Sequence, residues 1–164
     1  MKAIKKIAIG CSGLFVLIIL GIVGLLLIIN AKKDKYDKLA IPFFEECIPV
    51  LSKWKMEDFA PYWAPEVMEA VEPEQLKRLF ELYRKLGELE SFEEPQFLRV
   101  SASTNSPYGS FVTYSTLAYY EKGEAQISCI LVPIQPNELK IWNLQVNSNA
   151  FLPEIETDVE IETE

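Results

Sequence analysis

The sequence predicts an α+β fold, with an N-terminal transmembrane helix followed by helices packed on a curved antiparallel sheet. Three observations support this class. An uncharged run of 25 residues extends from Ile7 to Ala31, helical patterns follow from Lys32 to about Leu89, and strand patterns follow from Phe92 to about Asn149. Helices grouped before strands are typical of α+β domains. We therefore predict an anchor at 1–31, a domain at 32–152 and a tail at 153–164.

The uncharged run is long enough to cross a membrane. The segment from Ile7 to Ile29 exceeds the roughly 20 residues that span a hydrocarbon core, and it is apolar on every face. A cleaved signal peptide has a shorter apolar region, and a lipoprotein signal would need that region before Cys11 instead of after it. We therefore predict that the lipid bilayer is a partner of residues Ile7 to Ile29. Lysines flank this segment on both sides: Lys5, Lys6, Lys32 and Lys33.

Lysines are nearly balanced on the two sides of the span, so the charge asymmetry that predicts the orientation of the anchor is weak. A short basic N-terminus ahead of a long apolar run usually stays in the cytoplasm. The sequence thus predicts a single-pass protein of the cell membrane with its domain on the extracytoplasmic side.

Three helical segments follow the anchor. Pro42 and Pro49 are expected to kink or split a helix from Tyr36 to Lys55, and Phe59 to Val71 forms a shorter segment interrupted by prolines. The clearest helix begins at Pro73 and ends before Gly87. Its apolar residues recur at helical spacing and predict one buried stripe: Leu76, Leu79, Phe80, Tyr83 and Leu86.

The strand region contains two hairpins whose registers follow from their turns. A two-residue turn at Lys122 and Gly123 places Tyr114 opposite Leu131, Thr116 opposite Cys129 and Ala118 opposite Ile127. A four-residue turn from Gln135 to Glu138 places Trp142 beside Leu131, Leu144 beside Cys129 and Val146 beside Ile127. Both hairpins put one apolar set on the concave face: Ile127, Cys129, Leu131, Trp142, Leu144 and Val146. An earlier strand from Phe97 to Ser103 is expected to add Leu98, Val100 and Ala102.

The opposite face of the sheet is polar at one end and apolar at the other. Its polar residues are Gln126, Ser128, Asn143, Gln145 and Asn147. An apolar patch of this size does not face water alone. Either the loop from Thr104 to Ser110 or the tail covers it, or it is an interface with a second copy or a membrane-protein partner. The interface candidates are Phe111, Val132, Ile134, Leu139 and Ile141.

The strand sequences also carry a family resemblance. The patterns Phe111-Val-Thr-Tyr-x5-Tyr120-Glu-Lys-Gly-Glu-Ala-x-Ile127 and Leu139-Lys-Ile-Trp142-x-Leu-x-Val-Asn-Ser148 resemble the NTF2-like (cystatin-like cone) superfamily, most closely its uncharacterised membrane-anchored bacterial members. The resemblance covers roughly residues 36 to 150. It implies a cone-shaped cavity between the helices and the concave face, and an outer sheet face that often pairs subunits. Enzymatic members use cavity Asp or His residues, which this chain lacks there.

Composition removes several classes of function. The chain has no histidine, 16 basic and 24 acidic residues, and no Asp in any predicted strand. Histidine is the commonest general base and zinc ligand, and the net charge of −8 disfavours nucleic acid. Asp58 fits a cap before a short helix better than a catalytic role. We therefore expect no enzyme, no cofactor, no metal and no nucleic-acid partner.

Two functions remain open on this basis. The first is a membrane-tethered, non-catalytic binding or accessory module that acts through protein contacts near the bilayer. The second is a small-molecule carrier or sensor that uses the concave cavity, for which Tyr114, Thr116, Tyr120 and Trp142 are the candidate lining residues. The hydroxyls among them either satisfy core hydrogen bonds or line a mostly apolar cavity.

The sequence leaves alternatives open for two cysteines and for the tail. Cys47 and Cys129 either form a disulfide, if the domain is exported, or remain two buried thiols. The tail alternates acidic and β-branched residues, and we expect it to be disordered unless a basic partner or the apolar patch orders it.

Overall fold

The computed structural model describes residues 2–103 and 107–152, and within them the side chains of 19–24, 33–103 and 107–152. The chain divides into two compact units, Met1–Lys38 and Leu39–Glu164. The second unit is an α+β domain with helices and an antiparallel sheet, as the sequence predicts. The predicted disordered tail lies outside the described residues.

The helical elements come first along the chain. Helix α1 covers Lys2–Leu51, and in the first unit the ammonium of Lys33 pairs with the carboxylate of Asp37 at 2.8 Å. Among the described residues, no helix is both long enough and apolar enough to cross a membrane. The structure does not describe most side chains of the predicted span, Ile7 to Ile29. The remaining helices are α2 at Met56–Phe59, α3 at Pro65–Ala70 and α4 at Pro73–Tyr83, with 3-10 turns at Ala60–Tyr62, Arg84–Leu86 and Asn149–Phe151.

Pro42 and Pro49 do not split helix α1. The sequence had allowed either a kink or a split at these prolines. The helix continues through Pro42 and Pro49, which are both exposed, to Leu51. Each proline removes one backbone hydrogen bond, but the opposite side of the helix is deeply buried, and this burial stabilises the helical conformation. The buried residues recur at helical spacing: Ala40, Phe44, Cys47, Ile48 and Leu51.

The predicted stripe of the later helix is confirmed. The residues Leu76, Phe80, Tyr83 and Leu86 are buried, and Leu79 is partly exposed. The last of them belongs to the 3-10 turn that follows α4, and Gly87 ends that turn with φ of 81°. A positive φ favours glycine, so the chain leaves the helix where the sequence predicts.

The described residues contain a five-stranded antiparallel sheet. Strands β3, β4 and β5 form a meander, and the short strands β1 and β2 both pair with the same side of β3. The strands are β1 at Leu89–Phe92, β2 at Gln96–Ala102, β3 at Ser110–Tyr120, β4 at Gly123–Gln135 and β5 at Glu138–Asn147.

The register of the first hairpin differs from the predicted one by two residues. Tyr120 pairs with Gly123, so the turn residues are Glu121 and Lys122, and Tyr114 lies opposite Cys129 instead of Leu131. Likewise Thr116 lies opposite Ile127, and Ala118 opposite Ala125. Because side chains alternate with a period of two, this error leaves every residue on its predicted face.

The second hairpin contains two bulges that the turn arithmetic does not foresee. Its turn is Pro136 and Asn137, and Leu144 pairs with Cys129 and Val146 with Ile127 as predicted. Between Ile130 and Leu131 the register shifts, so Leu131 pairs with Ile141, and Trp142 is an extra residue on β5. A second shift between Pro133 and Gln135 restores the register near the turn. The prediction that Trp142 lies beside Leu131 is therefore wrong.

A third bulge displaces one residue of β2. The register shifts between Phe97 and Arg99, and the intervening Leu98 is 55% exposed. Leu98 and the exposed Ala102 are therefore not part of the core, contrary to prediction, whereas Phe97 contacts the ring of Tyr114 at 5.7 Å between centroids.

The inner, concave-side face of the sheet packs against α1. The rings of Phe44 and Tyr114 lie 5.6 Å apart, and the side chain of Tyr120 contacts Trp54 just after the helix. Ile127, Cys129, Leu131, Leu144 and Val146 are all buried on this face. The sheet and α1 thus form the core of the second unit.

Candidate functional site

Three of the four predicted cavity residues lie in the packed core. Tyr114 has no exposed surface. The hydroxyl of Thr116 donates to the carbonyl of Glu93 at 2.6 Å, and the hydroxyls of Tyr120 and Ser52 are hydrogen-bonded at 2.8 Å. Of the two alternatives the sequence left for these hydroxyls, hydrogen bonding within the core is the observed one for Thr116 and Tyr120.

The fourth predicted cavity residue, Trp142, lies on the outer face. The bulge on β5 places Ile141 and Leu144 inside, and both are buried, while Trp142 is partly exposed. Its indole contacts Phe111 at 5.5 Å and Tyr108 at 5.9 Å between ring centroids, each with an edge-to-face geometry. We call Tyr108, Phe111 and Trp142 the outer aromatic cluster.

Tyr108 is held in place by a charged partner. Its hydroxyl donates to a carboxylate oxygen of Glu66, which belongs to α3. Burial, followed by this hydrogen bond, raises the pKa of Tyr108 to about 12. The hydroxyl is a donor at neutral pH, and its hydrogen bond to Glu66 restrains the loop residue beside Trp142.

The outer-face candidates divide into two groups. Val132, Leu139 and Ile141 are buried within the chain, so these three interface candidates present no exposed surface to a partner. The stretch between the two bulges turns Leu139 and Ile141 inward, where they pair with Pro133 and Leu131. Phe111 and Ile134 remain partly exposed, and Trp142 takes the outward position that the sequence assigned to its neighbour.

Beside the aromatic cluster, three rows of the outer face carry side chains that are almost all uncharged. Directly paired positions lie on the same face of a sheet, and three rows cross neighbouring strands in register. We call these rows the polar rows. They are Arg99, Thr113, Ile130 and Asn143; Gln96, Ser115, Ser128 and Gln145; and Leu117, Gln126 and Asn147.

Four amide side chains of the polar rows are exposed and available to a partner. Gln126, Asn143, Gln145 and Asn147 are all exposed. The Ser115 hydroxyl is instead engaged locally, donating to the carbonyl of Ile127 at 3.2 Å. The surface therefore offers hydrogen bonds from amides and contact area from aromatic rings. Arg99 is the charged member of the polar rows, and Glu124 and Lys140 lie on the same face outside these rows.

Cys47 and Cys129 are free thiols, which was one of the two open alternatives. Both Cys47 and Cys129 are buried. Burial raises the pKa of Cys129 to about 12, and burial together with the neighbouring Cys129 raises the pKa of Cys47. Both are therefore protonated and unreactive at neutral pH.

No group of three or more His, Cys, Asp or Glu side chains in the described part of the chain could hold a metal ion. Comparison with known proteins gives no further lead, because no protein family, curated protein or solved structure matches this chain.

Sequence reasoning missed Tyr108 and misplaced Trp142. The contact between Tyr108 and Glu66 joins residues far apart in sequence, and no local pattern predicts it. Pro133 could have indicated an irregular ladder, since proline in a strand is found at edges and bulges.

Proposed function

We propose that the protein is a membrane-tethered, non-catalytic binding module that contacts a protein partner through the outer face of its sheet. The observation that carries this proposal is Trp142, which a bulge turns outward into the outer aromatic cluster. Bulges that re-aim a side chain are over-represented next to functional sites. Interface centres are enriched in Trp and Tyr and depleted in charged residues, and the outer aromatic cluster beside the polar rows has this composition.

The proposed tether is the run from Ile7 to Ile29. Four apolar side chains within it are exposed to between 44% and 61%: Ile19, Leu20, Ile22 and Val23. Contiguous exposed apolar residues favour contact with lipid or with another apolar surface. Together with the uncharged length of the run, they support a single-pass anchor, and we place the domain on the extracytoplasmic side.

The proposed family is the NTF2-like superfamily. Helices that precede a meander, with a long helix against the inner face of the sheet, support this assignment. The residues expected to line the family's cavity here pack against Phe44, Phe97 and Ser52. This packing favours a function at the outer face over the alternative of a carrier or sensor with an internal ligand.

The test is site-specific photo-crosslinking of the full chain in native membranes. A photoreactive amino acid in place of Gln145, which is exposed on the outer face, should give an adduct with a protein partner. The same amino acid in place of Arg78, which is exposed on α4, serves as the control and should give at most a weak adduct. Trp142→Ala should reduce the Gln145 adduct at least tenfold, because truncation of an aromatic anchor costs about 2 kcal/mol or more.

The mass of the adduct separates the two partner classes. A product of twice the chain's mass indicates a second copy, and another mass indicates a different membrane protein. Equal adducts from both positions, or an unchanged adduct in a folded Trp142→Ala chain, would refute the proposed interface.

A further inference from the structure

A second surface feature lies away from the polar rows, in a cleft of about 380 Å³ beside α1. Three elements form its walls. Helix α1 contributes one face, the 3-10 turn contributes Pro61 and Tyr62, and the β4–β5 turn with the start of β5 contributes the rest. We call this the α1 cleft; its helical residues are Leu39, Pro42, Phe43 and Glu46, and its β residues are Asn137, Glu138, Leu139 and Lys140.

Two aromatic rings meet in the α1 cleft. The centroids of Phe43 and Tyr62 lie 6.0 Å apart with an interplanar angle of 71°, and both side chains are partly exposed. This edge-to-face arrangement forms two walls at a steep angle. Aromatic walls of this kind attract cations through the negative charge on the ring face, and they recognise quaternary ammonium groups.

The charges in the cleft favour a cation. The ammonium of Lys140 is bound at 2.8 Å to Glu138 and at 2.7 Å to the carbonyl of Pro61, so its charge is balanced by Glu138. Glu46 instead accepts a hydrogen bond of 2.9 Å from the Tyr62 hydroxyl. No Lys or Arg of the described side chains lies within ion-pair distance of Glu46, so one carboxylate beside the rings lacks a counter-cation.

We propose that the α1 cleft binds an organic ammonium group between Phe43, Tyr62 and Glu46. The group comes from one of two sources with the same chemistry, the headgroup of a choline or ethanolamine phospholipid or a soluble amine. The cleft begins about ten residues after the proposed span, so the lipid source rests on the proposed membrane anchor.

The experiment uses the full chain in dodecyl maltoside micelles, which contain no ammonium group, with choline as the probe in isothermal titration calorimetry. We expect weak, saturable binding, with a Kd on the order of 1 mM or higher, because an exposed cation–π contact contributes little free energy. The neutral isostere 3,3-dimethylbutan-1-ol should not bind measurably. Equal binding of the two compounds would overturn the proposal, because it would show an apolar site without cation recognition.

Variants locate the binding within the cleft. Glu46→Gln and Phe43→Leu should each weaken choline binding at least tenfold, since one removes the charge and the other removes the ring but retains the apolar volume. Glu45→Gln is the matched control, because Glu45 is an exposed neighbour on α1 outside the cleft. Absence of saturable choline binding, or full affinity in folded Glu46→Gln protein, would refute the site.

A second titration identifies the source of the ammonium group. In phosphatidylcholine nanodiscs a bound headgroup would compete with free choline and weaken its apparent affinity at least tenfold relative to the micelles. An unchanged affinity would assign the site to soluble amines. Gln145→Ala on the outer face should leave choline binding unchanged, so failure of this proposal is distinguishable from failure of the proposed interface.

Discussion

The hydroxyls of Ser52 and Tyr120 form a buried polar contact between the end of α1 and the inner face of the sheet. Ser52→Ala should destabilise the domain by about 1–3 kcal/mol, because it leaves a buried hydroxyl without its partner. Tyr120→Phe should have a similar cost. The double variant should cost less than the sum of both, since it removes both polar groups together. Chemical denaturation of the four chains measures the coupling, and strict additivity would contradict a functioning hydrogen bond.

The buried thiols predict a loss of stability at alkaline pH. Burial raises the pKa of Cys129 to about 12 and also raises that of Cys47. A group whose pKa is higher in the folded state contributes its full stability below its unfolded pKa, near 9, and loses it as pH rises towards the folded value. The free energy of unfolding should therefore fall above pH 9, by at most about 1.4 kcal/mol per pH unit for each thiol.

Urea denaturation between pH 7 and pH 11 checks this prediction against a control chain with Cys47→Ala and Cys129→Ala. Tyr83 and Tyr120, whose pKa values are also raised by burial, are present in both chains, so the difference between the two slopes isolates the thiols. Identical slopes would show that the thiols ionise as readily in the folded domain as in the unfolded chain.

At the scale of elements, the two hairpins show what a sequence can and cannot determine. Moving a two-residue turn by one position shifts every cross-strand pair by two, so the face of Tyr114 and Cys129 was predictable although the turn was misplaced. A bulge changes the register by one and exchanges the two faces. For this reason Trp142 and Ile141 were assigned to the wrong sides, and the candidate site could be predicted only in its amide half.

The bulge on β5 predicts which of two adjacent side chains contributes more to the stability of the domain. Ile141→Ala should destabilise the domain by about 2–5 kcal/mol, because it leaves a cavity at a fully buried position. Trp142→Ala should cost less, about 1 kcal/mol, since the ring is partly exposed and contacts the rings of Phe111 and Tyr108 on the outer face. Regular alternation along β5 would give the reverse order, so thermal unfolding of the two variants decides between the registers.

At the scale of the whole molecule, the proposed anchor predicts that substitutions outside the folded domain can abolish membrane association. Arginine costs about 2.5–3.5 kcal/mol at the centre of a spanning helix, so Ile18→Arg combined with Leu20→Arg should release the protein from membranes. Fractionation after alkaline carbonate treatment measures this release. Ser52→Ala, which changes only the domain, serves as the control and should remain in the membrane pellet. Retention of the double-arginine chain would contradict a single-pass anchor.

The fold class followed from patterns that are local in sequence, namely helical and alternating periodicity, and these were sufficient for the order of helices and strands. The two proposed binding surfaces depend on contacts between distant residues, such as Tyr108 with Glu66 and Phe43 with Tyr62. No periodicity encodes such pairs, so the outer aromatic cluster and the α1 cleft required the structure.

The arrangement at the two margins of the sheet has a consequence for aggregation. On one side β1 and β2 divide the margin of β3 into two short strands, each with an irregular register. On the other side Trp63 forms a bridge with Ile141, and the amide of Ala64 donates to the carbonyl of Ile141 at 2.9 Å. Short, irregular or covered margins hinder the addition of foreign strands. The margins of the sheet are thus protected against fibrillar self-association at high local protein concentration.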